Sequence, residues 1–208
     1  MRTLIKNGLV YDGSGGTPFR KDVLIKDGFI EAVTESAEAY GMEMTRAEAS
    51  GAEAAAAEVM DASGLVVTPG FIDTHRHCDI DALYNPEFGR LEMAQGLTTV
   101  IGGNCGLAPI PAPKQYRRDI YDFIEPCLGI APEEMAIERF GDYLEELGKR
   151  ELPLHVGSLL ATGTLKAAIK GYGKGPFTRQ EMDQAKAYIR EGLEAGAAGL
   201  SMGIMYQP

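Results

Sequence analysis

Two histidines two residues apart, His75 and His77, and a cysteine set among glycines, Cys105, have the types and spacing to hold a metal ion. Imidazole nitrogen and thiolate sulfur are the donors that zinc accepts most readily. The chain has only three histidines and three cysteines, so two histidines in one run are not background scatter. In a β-strand alternate side chains share a face, so residues at i and i+2 point the same way. Asp79 continues that parity and is placed to orient a ligand histidine, as carboxylates around metals do. Arg76 and Cys78 face the other way, and Cys78 reads as a small buried hydrophobe. Cys105 lies in Gly102-Gly103-Asn104-Cys105-Gly106, just after an apolar run, where glycines let the backbone approach closely. It supplies a third donor, with Asn104 beside it in support. His155 opens a later apolar run and reads as structural, and Cys127, ahead of Leu128-Gly129, reads as packing at a helix end. Gly102-Gly103-Asn104 lacks the Lys-Ser/Thr ending and the glycine spacing of a nucleotide loop. No Cys-x-x-Cys spacing occurs, which argues against a thiol redox protein.

These residues need elements to carry them. Thr3 to Tyr11 reads as a pair of short strands broken at Asn7-Gly8, and Val23–Ile25 and Phe29–Ile30 flank Asp27-Gly28, a tight hairpin signal. Residues 1–64 are therefore expected to form a small antiparallel sheet, with an Ala/Glu-rich solvated insertion over about 36–60 that lacks a clear apolar stripe. Over residues 65–208 four apolar runs are expected to be strands: Leu65–Val67 continuing through Phe71–His77, then Leu97–Gly102, Leu154–Leu160 and Gly199–Ile204. Helical patterns separate them. Ile137, Phe140, Tyr143, Leu144 and Leu147 recur on one helical face, and Thr178 with Glu181 forms a capping-box signature ahead of Met182, Ala185, Ile189 and Leu193. Gly196 is placed to stop that helix. Strands alternating with helices imply parallel βα units, since parallel neighbours need a long crossover. Four units make either half of a closed (β/α) barrel, which needs eight, or another α/β arrangement.

Bulk properties exclude some partners. A formal charge of -10 repels phosphate backbones, so nucleic acid is not expected. A strand-like segment begins at Thr3 with no basic stretch and long apolar run, which predicts a cytoplasmic chain without membrane contact. An odd number of cysteines fits reduced thiols.

The run Pro69-Gly70-Phe71-Ile72-Asp73-Thr74-His75-Arg76-His77 closely resembles the first barrel strand of the amidohydrolase superfamily, where Pro-Gly-Phe-Ile-Asp precedes a His-x-His metal pair. Gln95-Gly96-Leu97-Thr98-Thr99-Val100 followed by Gly103-Asn104-Cys105-Gly106 resembles its N-acyl-D-amino-acid deacylase branch, whose cysteine after strand two ligates zinc. Gly163-Thr164-Leu165-Lys166 and Gly199 to Pro208 are similar to that branch's strand-three and strand-four regions. Hydantoinase-like and dihydroorotase-like enzymes use a lysine on strand four, which Gly199 to Pro208 lacks. The chain departs from the branch at Arg76 and Cys78, where a small residue and an acidic one are common, and at Thr162 and Lys166, where a histidine and an arginine are common.

The resemblance implies an α/β chain forming the N-terminal half of a TIM-like (β/α)8 barrel, preceded by a small antiparallel β-sandwich piece. It implies zinc, one or two ions, held by His75, His77 and Cys105, with Asp79 and Asn104 in support. It implies hydrolysis of a small N-acyl-amino-acid-like substrate by zinc-activated water, with the general base and the remaining ligands expected beyond Pro208. On that expectation the chain is inactive alone and associates with itself or with a partner supplying the other barrel half. The alternative is a non-catalytic metal-binding or assembly module built from the same half-barrel.

Overall fold

The computed structural model describes residues 2–35 and 58–205. The chain packs as two compact units, Met1–Pro69 and Gly70–Pro208.

In the first unit, β1 (Arg2–Lys6) is central to one sheet and β2 (Leu9–Val10) to another. β3 (Phe19–Arg20) pairs antiparallel with β2, and β4 (Asp22–Lys26) lies antiparallel both to β1 and to β5 (Phe29–Thr34). Asp27 and Gly28 turn the β4–β5 hairpin with φ of 49° and 85°, the double positive φ that a two-residue turn requires. Leu4 and Leu24 pair across β1 and β4 and are buried with Ala32 of β5 against them. β6 (Glu58–Asp61) runs parallel to β1, and β7 (Val66–Val67) runs parallel to β2.

Three expectations change here. β1 and β2 do not pair with each other, because both edges of β1 are taken by β4 and β6, and Asn7, at φ 65°, leads the chain into the second sheet. The unit is mixed rather than purely antiparallel, because β6 and β7 each arrive parallel to their partners. Residues 36–57 of the expected insertion lie outside the described residues; Glu58 to Met60 are strand, hydrogen-bonded along β1 in a register that sets Val59 opposite Leu4.

The second unit opens with β8 (Phe71–Asp73), followed by α1 (Asp81–Tyr84), α2 (Arg90–Ala94) and β9 (Leu97–Gly102). After β9 come a 3-10 turn (Asn104–Gly106), α3 (Arg117–Leu128), α4 (Phe140–Gly148), β10 (His155–Ser158) and β11 (Leu160–Ala161). α5 (Thr162–Lys170), α6 (Arg179–Ala195) and β12 (Leu200–Ser201) complete it. β9 lies between β8 and β10, and β11 pairs with β12, all parallel. β10 and β11 are one strand bent at Leu159, whose N–H bonds to Gly102 O at 3.0 Å while Leu160 N–H bonds to Gly199 O at 2.9 Å. Four parallel strands with helical crossovers result, the N-terminal half of a TIM-like (β/α)8 barrel.

Helix α4 buries Phe140, Tyr143 and Leu147 along the face read from the sequence, against Val100, Ile110 and Leu160. In α6 the Thr178–Glu181 capping box has both of its hydrogen bonds, and Gly196 ends the helix at φ 113°. The apolar stripe expected on α6 is only partly buried. Met182 and Leu193 are exposed, and the helix instead approaches the barrel at Gly192, where a Cβ would come 2.6 Å from Leu160 Cδ2. Gly163 to Lys166 lie in the first turns of helix α5, directly after strand three. Cys127 is exposed, contrary to its reading as packing, because the buried residues of α3 fall at Ile120, Ile124 and Leu128. No helix among the described residues is long and apolar enough to cross a membrane.

Thr178→Ala removes one side of the capping box and is expected to lower stability by about 1 kcal/mol, read by chemical denaturation.

Candidate metal centre

Strand β8 ends at Asp73, so His75 and His77 stand in the bend that follows it and not within the strand. The bend has a local cause: the His75 N–H bonds to Asp73 Oδ1 at 3.0 Å, the side-chain turn that Asp favours. Arg76 N–H still reaches Ile101 O on β9 at 3.1 Å, which keeps the segment against its neighbour. Alternation along a strand is therefore not what brings the two histidines together. The bend sets their rings edge to face with centroids 5.6 Å apart.

Cys105 sits in the 3-10 turn after β9 with φ 57°, a left-handed conformation that costs a non-glycine residue about 1–2 kcal/mol. In that conformation its Sγ lies 3.1 Å from His75 Nε2. One donor atom from each of His75, His77 and Cys105 lies within 4.8 Å of the others, and no other such group occurs among the described residues. Ligands around a tetrahedral zinc are separated by about 3.5 Å, so small side-chain adjustments bring all three into range. His77 Nδ1 is buried without a hydrogen-bond partner, an arrangement that a ligand role resolves. Burial first, and the neighbouring His75 second, hold the His77 imidazole below its ordinary pKa and favour the neutral form that binds metals. The donor set and the orphaned nitrogen thus fit a metal ion.

Asp79 is buried two residues beyond His77, beneath the end of β9. A Cβ on Gly102 would lie 2.8 Å from its Oδ1, and Ser158 Oγ is 3.4 Å from the same oxygen. Burial raises its carboxyl to about 7, against the N–H groups of Asp79 and Gly103 and the Ser158 hydroxyl, which favour the charged form. Asn104 is buried and its Nδ2 donates to Ile101 O at 2.7 Å, fixing the start of the cysteine turn. Cys78 packs in the core, where burial pushes its thiol to about 12 and leaves it inert. Arg76 turns to Glu92 on α2 and to Asp73, so its charge is spent on an ion pair beside the site. His155 is exposed at the start of β10, the end of the strand away from the cluster.

Two residues escaped the sequence reading. Ser201 Oγ on β12 accepts from Gly106 N–H at 2.9 Å and donates to Gly103 O. Thr164 Oγ1, fully buried, donates to Ala108 O at 2.7 Å and accepts from Ala108 N–H at 3.0 Å. Their only signal was polarity inside otherwise apolar or small-residue runs, and their partners lie 56 or more positions away.

The description "Amidohydrolase family" belongs to the family model that matches residues 58–207. N-acyl-D-aspartate deacylase of Alcaligenes xylosoxydans xylosoxydans is 31% identical over 205 residues, 99% of this chain and 37% of its own length. N-acyl-D-glutamate deacylase of Bordetella bronchiseptica was solved with zinc and a phosphonate mimic of its tetrahedral intermediate. It superimposes with a TM-score of 0.76 at 28% identity, covering 99% of this chain and 39% of that one. A D-aminoacylase studied for its binuclear metal centre gives a TM-score of 0.75 at 28% identity with the same coverage. The chain spans under two fifths of the length of these relatives.

Gly103 has φ 71°, and a Cβ there would meet Leu159 O at 2.1 Å. Gly103→Ala is expected to cost roughly 2–4 kcal/mol by urea denaturation. Gly28→Ala, with φ 85° in the hairpin turn but open space around it, should cost about 1 kcal/mol in the same experiment.

Proposed function

The chain belongs to the amidohydrolase family, and from that premise we propose that it supplies the metal-holding part of a zinc-dependent hydrolase of N-acyl-D-amino acids. The observation that carries this reading is the meeting of His75, His77 and Cys105 at the C-terminal ends of two adjacent parallel strands, where barrel enzymes keep their chemistry. The deacylase relatives, one of them solved with zinc, support the substrate class and the metal.

His75, His77 and Cys105 hold the ion, one or two being compatible with the family. Bound zinc polarises an amide carbonyl and draws the pKa of water toward neutrality. The Cys105 thiolate offsets part of the metal charge that two neutral imidazoles leave. Asn104 and Asp79 act behind the ligands, Asn104 by tying the cysteine turn to β9 and Asp79 by filling the space under Gly102. No carboxylate joins the donor cluster among the described residues, so proton transfer there lacks a positioned base.

Purified chain is expected to bind about one equivalent of zinc at this three-donor site. His77→Ala and Cys105→Ala should each weaken binding by about tenfold or more, measured by competition with a chromophoric chelator. Turnover of N-acetyl-D-aspartate and N-acetyl-D-glutamate by the 208 residues is expected to fall well below the common range of about 1–1000 per second. Zinc binding that survives both substitutions would sink the assignment.

Association is part of the proposal. Within the described residues β8 pairs on one side only, with β9, and its Phe71 and Ile72 are 57% and 62% exposed. An apolar, half-paired strand edge invites a partner. Light scattering is expected to give a mass above that of one chain, and a clean monomer at micromolar concentration would argue against it.

A further inference from the structure

The turn that presents Cys105 is held by a side chain on a strand that does not pair with β9, the strand the turn follows. Ser201 lies on β12, which pairs with β11, whereas the turn follows β9. Its hydroxyl takes the Gly106 N–H at 2.9 Å and gives its own proton to Gly103 O, so one oxygen closes both ends of the segment around Cys105. A non-glycine residue at φ 57° persists only where its surroundings over-determine it. Among the described residues the turn closes on itself through the Leu107 N–H to Asn104 O bond at 2.9 Å. Asn104 Nδ2 fixes the entry to the turn through Ile101 O, whereas Thr164 ties the chain at Ala108, outside the turn. Ser201 is the side chain that spans the cysteine itself.

We infer that Ser201 is the positioning residue that keeps Cys105 in its left-handed conformation and so aims Sγ at the His75–His77 pair. The inference rests on the metal-site reading above. It assigns to strand four a part in ligand geometry although that strand, in the described residues, contributes no donor to the cluster. Removing the hydroxyl frees Gly103 O and Gly106 N–H together, and the turn can then relax to ordinary φ, carrying the sulfur away from His75.

Cobalt(II) is the probe that tests this, because a cysteine thiolate on cobalt gives a charge-transfer absorption that imidazole ligands do not. Cobalt titration of the wild-type chain is expected to show that band. Ser201→Ala should weaken cobalt binding by about tenfold and reduce the thiolate band at saturation, while absorption from histidine-bound cobalt remains. Ser201→Thr retains the hydroxyl and is expected to restore both. Thr164→Ala breaks a fully buried tie outside the cysteine segment, so it should lower the melting temperature of the metal-free chain at least as much yet leave the band in place. Wild-type affinity and an unchanged band in Ser201→Ala would overturn the role of Ser201. A wild-type chain that binds no cobalt, or binds it without the thiolate band, would instead overturn the metal-site reading on which it rests.

Discussion

Parallel hydrogen bonding between β8 and β9 is the constraint on which the site depends. Each strand ends two or three residues before a donor side chain, and the register sets Asp73 opposite Val100, so β9 runs two residues past the end of β8 alongside the histidine segment. Three donors contributed by two segments about 30 residues apart meet because both strands are parallel and leave the same end of the sheet. The core beneath enforces that arrangement. Val100, Ile110, Tyr143 and Leu160 are all essentially inaccessible, and the Tyr143 hydroxyl bonds to Asp79 O at 3.1 Å, so helix α4 braces the peptide chain just beyond the histidines.

Above that frame the two ligand segments are shaped by different physics. The histidine bend is local: Asp73 turns back to the His75 N–H, and the ion pair from Arg76 to Glu92 holds the residue between the histidines away from the donors. The cysteine turn is strained and therefore non-local. Its left-handed residue is tolerated because Asn104 and Ser201 close hydrogen bonds around it, Asn104 to β9 and Ser201 from β12. Close packing adds to this, since Gly103 and Gly163 leave no room for a Cβ against the Leu159 and Gly106 carbonyl oxygens. A small energetic cost at one residue is offset by a surround that specifies a single geometry for the sulfur.

Arg76 and Cys78, two of the positions where this chain departs from the pattern common in the branch it resembles, are both absorbed by structure. Arg76 finds Glu92, and Cys78 enters the core with Ala82 and Leu83. Neither removes a donor from the cluster, which is why the departures are compatible with a metal site made of the same three residues.

The sequence by itself determined the elements whose causes are local. The Asp27-Gly28 hairpin, the Thr178–Glu181 capping box, the buried face of α4 and the alternation of strands with helices were all legible, because each follows from backbone preferences or periodicity within a few residues. His75, His77 and Cys105 were legible as a candidate donor group from residue type and spacing, and the resemblance implied the same grouping. Tertiary structure alone decided the rest. It sent β1 and β2 to different sheets, ended β8 before the histidines, and left Cys127 exposed. It also recruited Ser201 to the cysteine turn from 98 residues away. Such outcomes turn on which edge is already occupied and which distant group completes a buried hydrogen bond, and those facts exist only once the chain has closed on itself.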